Sequence, residues 1–152
     1  MIKAELLRKA LIESNTWCRA NPEAITVWVE QGNIEIQATG EPSFMYLYTI
    51  RVLACDFPGQ VDDLMLPIVA WAWQYQPDLL LNPENNRKID FEADIISDDL
   101  ADLLFKVPVW ERVMVEIIDG KPVVTHLSES RPRINGGEWE VVFGNDYEGE
   151  QV

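Results

Sequence analysis

The stretch of residues 43–83 joins an aromatic strand pattern to an almost wholly apolar helix pattern, and this junction limits what the chain can fold into. Across residues 44–53, aromatic and aliphatic side chains fill both sides of a two-residue alternation, which indicates a strand covered in part on both faces. Between about residues 62 and 76, apolar side chains occupy most of the helix circumference, whereas the surface helix of a soluble monomer normally keeps a polar stripe. The stretch therefore favours assembly with other proteins over catalysis.

Acidic residues and a proline mark the junction itself. Asp56, Asp62 and Asp63 surround the break between strand and helix and could be read as a divalent-cation site. Turn formation, capping and the attraction of carboxylates to a helix N-terminus explain them with fewer assumptions. Pro67 lies inside the helical window, where it removes a backbone donor. Either the helix starts close to Asp63 or the segment bends at the proline.

Several short motifs of the chain occur together in one known family. They are the Asp56-Phe57 break, the run LMLPIVAW with the QPDLL and NP that follow it, and residues 89–95, 109–113 and 124–126. In this order and spacing they resemble the tail completion protein R family of P2-like contractile-tailed bacteriophages, which is similar to tail terminators. The resemblance covers residues 1–127. None of the motifs is a catalytic signature, so the resemblance depends on their combination.

The resemblance implies a non-enzymatic structural protein of the virion. Such a protein completes the phage tail by capping the head-proximal end of the tail tube, and it helps to join the head. The expected partners are further copies of the chain in a hexameric ring, the tail tube protein and head-tail connector proteins. The expected location is the virion tail, with assembly in the host bacterial cytoplasm. The family supplies no catalytic, cofactor-binding or metal-binding residue to transfer.

The 152-residue chain carries a formal net charge of -14. A charge of this sign argues against autonomous binding of nucleic acid or of an anionic membrane, and it also favours solubility. In a ring around a genome, an acidic wall would repel phosphate and let DNA slide through without specific contact. The alternative function, from a different class, is a small acidic protein-binding module such as a nucleic-acid mimic or inhibitor.

Hydrophobic periodicity predicts an α+β fold, with a mainly antiparallel sheet of hairpins on which an N-terminal helix and a central apolar helix pack. Gly32 is predicted to turn one hairpin, and Pro108 is predicted to interrupt a strand. The predicted elements outside the opening stretch are a helix at residues 2–13 and strands at residues 25–29, 34–38, 89–95, 103–107, 113–117 and 122–127.

The composition changes near residue 128. Residues 1–127 are predicted to form the α+β domain, and the polar residues 128–137, which end in two glycines, are predicted to be a linker. Residues 138–152 alternate apolar and acidic side chains and then become acidic, which predicts a short C-terminal strand and an acidic tail. This strand could pair with an edge of its own sheet or of a neighbouring subunit.

No constellation of residues predicts catalysis. Glu92 and Asp94 are two apart on a strand and could serve as acid and base, but strand alternation alone places both on a solvated face. His126 is the only histidine, which excludes a site built on two histidines. Cys18 and Cys55 lack the spacing of metal ligands, and we interpret them as reduced, small hydrophobic residues.

Trp71 and Trp73 point about 200° apart on a helix, so one sheet cannot bury both. One alternative puts one tryptophan in the core and the other under a loop. The other alternative makes Trp73 an anchor at a subunit interface, where tryptophan is enriched. The residues predicted for such an interface are Trp73, Met65, Tyr46, Tyr48 and Trp139.

Overall fold

The computed structural model describes residues 2–37 and 40–128. In this part of the chain four helices and five strands follow one another, with short 3-10 turns at Pro22–Ala24 and Pro83–Asn85. In chain order they are α1 (Ile2–Ser14), α2 (Thr16–Ala20), β1 (Ile25–Ile36), β2 (Phe44–Phe57), α3 (Val61–Tyr75), α4 (Asp78–Leu81), β3 (Asp90–Ile95), β4 (Ala101–Ile118) and β5 (Lys121–His126). None of these helices is long and apolar enough to cross a membrane.

The five strands form one antiparallel sheet in the order β1-β2-β4, and β3 and β5 share the far edge of β4. β3 pairs with the first third of β4 and β5 with the last third. Alternate side chains of the central strands pack against α1 and α3 in one core, whose largest members include Leu7, Leu64, Ile68, Ile50 and Phe105. The predicted α+β class, with an antiparallel sheet and two packed helices, is confirmed.

The hairpin predicted around Gly32 is wrong, because β1 is a single strand that pairs with β2 along its whole length. The register shifts between Val29 and Gly32, which marks a bulge and not a turn. A Cβ atom at Gly32 would lie 2.9 Å from the carbonyl oxygen of Leu47 and 3.0 Å from Cβ of Tyr48. Glycine is therefore required here because two backbones approach closely. Glycine is also common in turns, so the residue type alone does not distinguish a bulge from a turn.

We expect Gly32→Ala to lower the free energy of unfolding by about 1–3 kcal/mol, because the added methyl group has no room beside β2. Gly40→Ala is the matched control, since a Cβ atom there meets nothing within 4 Å. Urea titration of both variants measures the difference. Equal stability of the two variants would show that the bulge yields to accommodate the methyl group.

The interruption predicted at Pro108 is also wrong, because β4 runs unbroken through this residue. Two positions on, the N–H and C=O of Trp110 bond to the side chains of Gln76 and Lys3, so this edge of β4 faces away from β2. Residues two apart on a strand turn their backbone groups to the same edge. The N–H that Pro108 lacks is therefore missing from an edge without a strand partner, and the β2–β4 ladder loses nothing.

The central helix begins at Val61 and continues past Pro67 to Tyr75. At its start, the backbone N–H of Gln60 donates to the carboxylate of Asp63 over 2.9 Å, so Asp63 caps the helix from inside its first turn. Pro67 leaves the carbonyl of Asp63 without its helical donor. The side-chain amide of Asn15 donates to that carbonyl over 3.4 Å, which compensates for the lost bond.

Candidate functional site

Five polar side chains meet where α1, the end of α3 and three strands converge. Lys3, Tyr48, Gln76 and Glu111 are buried, and His126 is half-buried beside them. A buried polar group costs free energy unless it is hydrogen-bonded, so the contribution of this cluster to stability depends on its hydrogen bonds.

Glu111 is the centre of the cluster. One of its carboxylate oxygens accepts the backbone N–H of Lys3 over 2.8 Å and also the hydroxyl of Tyr48. The other lies 3.3 Å from Nδ1 of His126. Because Lys3 stands in the first turn of α1, the carboxylate of β4 occupies the positive end of the helix dipole and satisfies one of its free donors. Glu111 thereby attaches the N-terminal helix to the sheet.

The Lys3 ammonium and Gln76 complete the cluster from the side of the helices. The ammonium donates over 2.6 Å to both Oε1 of Gln76 and the carbonyl of Trp110. The same Gln76 oxygen accepts the N–H of Trp110 over 3.3 Å. These bonds occupy the edge of β4 between β3 and β5, so side chains replace a neighbouring strand there. The end of α3 and the start of α1 are consequently fixed to one stretch of β4.

The environment of Tyr48 holds its hydroxyl in the protonated form. Burial raises the pKa of Tyr48 well above its usual range, and the hydrogen bond to Glu111 and the charge of that carboxylate raise it further. The hydroxyl is thus a permanent donor to Glu111 at neutral pH. The cluster has the properties of a structural joint.

We expect the free energy of unfolding to fall as the pH rises above about 10, the pKa of tyrosine in an unfolded chain. Above that pH the unfolded chain has lost the Tyr48 proton while the folded chain keeps it, so unfolding releases a proton and becomes easier. The slope for this group is about -1.4 kcal/mol per pH unit. Tyr48→Phe should remove that part of the slope between pH 10 and 11 in urea titrations. An identical slope in both proteins would contradict the assigned protonation.

A second feature is an apolar groove between α3, α4 and the start of β3, with a volume of about 840 Å³. Trp73 is one of its lining residues, although its side chain is only 1% exposed. Phe91 and Leu81 line the same groove and are more than half exposed. We call this surface the α3–β3 groove; its main apolar lining residues are Met65, Val69, Trp73, Leu80, Leu81 and Phe91.

A third feature is the part of the sheet that extends past the helices, formed by the last residues of β1, the first of β2, the last of β4 and all of β5. We call it the sheet arm. Its helix-side face is apolar and exposed: the exposed fractions are 59% for Ile34, 79% for Ile36, 66% for Ile117 and 56% for Val124. Phe44 and Tyr46 lie half-buried on the same face, and Tyr46 stacks on His126.

The structure distributes the predicted interface residues over these features. Met65 and Trp73 lie in the α3–β3 groove, Tyr46 lies on the sheet arm, and Tyr48 is buried in the polar cluster. Trp139 lies outside the described residues. Their contact with a partner stays a prediction.

Both tryptophans of α3 are buried within the subunit. Trp71 joins the main core, and Trp73 lines the α3–β3 groove together with Leu79 and Leu80. The assignment of Trp73 to a subunit interface stays a prediction. An interface that used Trp73 directly would first have to expose its side chain.

The residues considered as catalytic candidates lie on the surface or in environments that do not activate them. All six residues of β3 are exposed, and Glu92 forms an ion pair of 3.0 Å with Lys106. Burial raises the pKa of the Cys18 thiol to about 11 and also raises that of Cys55, so neither forms much thiolate at neutral pH. Among the described residues, no group of three or more His, Cys, Asp or Glu could hold a metal ion.

Sequence reasoning missed the polar cluster. Lys3 lies in the helix predicted at residues 2–13 and Glu111 in the motif at residues 109–113, and neither pattern predicts that they meet. One usable signal existed, since Glu111 stands at an inward position of the alternation that includes Val109 and Val113. A carboxylate at such a position requires a partner.

Comparison with known proteins identifies the chain's relatives. Residues 1–130 match the family model described as P2 phage tail completion protein R (GpR). The chain belongs to this family. It is also 34% identical over 133 residues to the tail completion protein R of Escherichia phage P2, a match that covers 87% of this chain and 86% of the relative. No solved structure matches the chain.

Membership confirms the resemblance drawn from the motifs, and it covers the whole described fold. The family consists of phage tail structural proteins and is not a known enzyme family. The chain is therefore a structural protein of the phage tail, associated with other tail components. The polar cluster, the α3–β3 groove and the sheet arm all lie within the matched residues.

Proposed function

We propose that this protein completes the tail of a contractile-tailed phage by capping the head-proximal end of the tail tube. In this proposal several copies, six by our expectation, close into a ring on the tube end. The ring contacts the tail tube protein on one side and head-tail connector proteins on the other, and DNA passes through it without specific contact. Assembly takes place in the host bacterial cytoplasm.

One structural observation carries the proposal beyond family membership. The described residues leave apolar surface exposed at the α3–β3 groove and at the sheet arm. The groove lies where β3 pairs with the first residues of β4, and the arm lies where β5 pairs with the last. Contiguous exposed apolar surface on a soluble chain marks an interaction site. A cyclic assembly needs two different patches on each subunit, because each copy contacts two neighbours through unlike surfaces.

Binding to tube ends tests the proposal. Tail tubes polymerised from the tube protein of the same phage are mixed with the purified chain carrying a gold label on an N-terminal tag. Negative-stain images should show label and extra ring-shaped density at one end of each tube. Native mass spectrometry of the free chain accompanies the imaging and gives its oligomeric state. A monomer, together with rings on tube ends, would mean that the ring closes only on the tube.

Two outcomes would contradict tail capping. Label distributed along the tube length would mean that the chain coats the tube. A compact monomer that ignores tubes and instead captures a purified DNA-binding protein would favour the acidic-module alternative. Phe44→Glu, on the sheet arm, and Met45→Glu, its neighbour on the opposite sheet face, are a matched pair of variants for this assay.

A further inference from the structure

We propose that the sheet arm of one copy packs against the α3–β3 groove of a second copy, so that the chain associates head to tail through two unlike apolar surfaces. This inference rests on the proposed ring, and it specifies which surfaces meet within it.

The sheet arm is unusual because its exposed face is the one that faces the core elsewhere in the sheet. Ile34, Tyr46 and Glu111 are register partners across three strands, and Glu111 is already buried there. Beyond this row the same face continues through Ile36 and Val124, which are 79% and 56% exposed, while Val113 between them is buried. Antiparallel sheets normally carry polar side chains on a face that water reaches. The arm face therefore has the composition of a buried sheet face, although much of it is exposed.

The α3–β3 groove offers the matching surface at the other end of the molecule. Phe91 is the register partner of Phe105, whereas Val124 is the partner of Val115, ten residues further along β4. At about 3.4 Å per residue, the two surfaces are roughly 34 Å apart along the strand. One copy cannot cover its own groove with its own arm over that distance. Apolar patches at opposite ends of one chain are the arrangement that joins copies head to tail.

Charge favours these two surfaces for contact between identical chains. A protein with a net charge of -14 repels another copy over most of its surface. The exposed residues of the arm face, Ile34, Ile36, Ile117 and Val124, carry no charge. In the groove, Asp62 is the acidic residue of the lining, and the acids of β3 project to the opposite side of the sheet from Phe91.

The size of the arm face sets the expected strength. The arm strands are spaced about 4.8 Å apart; β4 and β5 contribute about six residues each, and β1 and β2 about three, so the face covers no more than roughly 14 by 20 Å, or about 300 Å². A standard interface buries about 800 Å² on each partner. One contact between two free copies should therefore be weak, and each copy in a closed ring gains by making two such contacts.

Chemical cross-linking detects a weak contact and also reports its direction. In a Cys55→Ser background, one preparation carries Val124→Cys on the arm and a second, differently tagged preparation carries Leu81→Cys in the groove; Cys18 is fully buried. A short bifunctional maleimide should join the two preparations when they are mixed, and neither preparation to itself. A chain with both substitutions should give a ladder that ends in a closed ring.

Thr125→Cys is the matched control for Val124→Cys, since it is equally placed on β5 but points to the other face of the sheet. With this control the mixed product should fall to background. Products within each preparation alone, or no mixed product, would overturn the proposal. If tube-end capping persists without a mixed product, the proposed function stands and only the assignment of surfaces fails.

Two other occupants of the arm are distinguished in the same assay. A cross-link within one chain between Val124→Cys and Val141→Cys would mean that the chain's own C-terminal segment covers the arm. A cross-link from Val124→Cys to the tube protein, in place of a second copy, would mean that the arm faces the tube. Either result would overturn the proposal. Val124→Glu should abolish tube capping while leaving the thermal unfolding midpoint unchanged, and Thr125→Glu should leave both unchanged.

Discussion

Trp73→Ala is expected to lower the free energy of unfolding by about 3–5 kcal/mol, because it removes a large side chain that is buried within the subunit. The indole lines the α3–β3 groove, so the cavity left behind would open toward that groove. Urea titration followed by far-ultraviolet circular dichroism measures the loss. The expected value is a large share of the 5–15 kcal/mol that holds a typical domain folded.

Leu66→Ala on the same helix is the control, since its side chain is 56% exposed. It should change the stability by no more than about 0.5 kcal/mol. A small loss for Trp73→Ala, combined with loss of tube capping, would instead favour the original prediction of a direct interface role. The pair of variants therefore separates an effect on the subunit from an effect on assembly.

Glu111→Ala is expected to cost about 3 kcal/mol or more, because it leaves several buried groups without their acceptor. The N–H of Lys3 and the hydroxyl of Tyr48 would both lose their bond to the carboxylate, and His126 would lose its neighbour. Since Lys3 lies at the start of α1, hydrogen exchange should speed up most in the first turns of that helix. Thermal or urea unfolding gives the energy, and exchange gives the location.

Glu116→Ala is the matched control on the same strand, where the side chain is exposed. It should have an effect of no more than about 0.5 kcal/mol. A double-mutant cycle with Tyr48→Phe should give a coupling energy of about 0.5–3 kcal/mol, since contacting residues are not additive. Additive losses would mean that the hydroxyl contributes nothing through Glu111.

Trp73→Ala and Glu111→Ala bear on function because the α3–β3 groove and the polar cluster are structurally linked. Gln76 ends α3, which forms one wall of the groove, and it bonds to both Lys3 and Trp110. Loss of Glu111 would loosen the joint between helices and sheet, and so the base of the sheet arm. Interface variants should therefore be chosen from exposed positions such as Ile36 or Val124, where a loss of capping reflects contact with a partner.

Sequence patterns predicted the long central elements well. The alternation in β2 and the apolar run of α3 were both placed close to their observed bounds, because strand and helix periods are visible among neighbouring residues. The errors came at single residues with more than one structural role. Gly32 permits a turn or a bulge, and Pro108 ends a strand or occupies a free edge. Which role applies depends on what lies across the sheet, at Leu47 in the first case and at Gln76 in the second.

The sequence by itself determined the fold class, the family and the absence of a recognisable catalytic motif, since these follow from periodicity and from short motifs along the chain. Only the tertiary structure decided which apolar side chains are buried inside the subunit. It buried Trp73 within the subunit, and it joined Lys3 to Glu111 across 108 residues of chain. It also left Ile36 and Val124 uncovered, because the helices are shorter than the strands they cover. Burial depends on contacts between distant residues, and no local pattern encodes them.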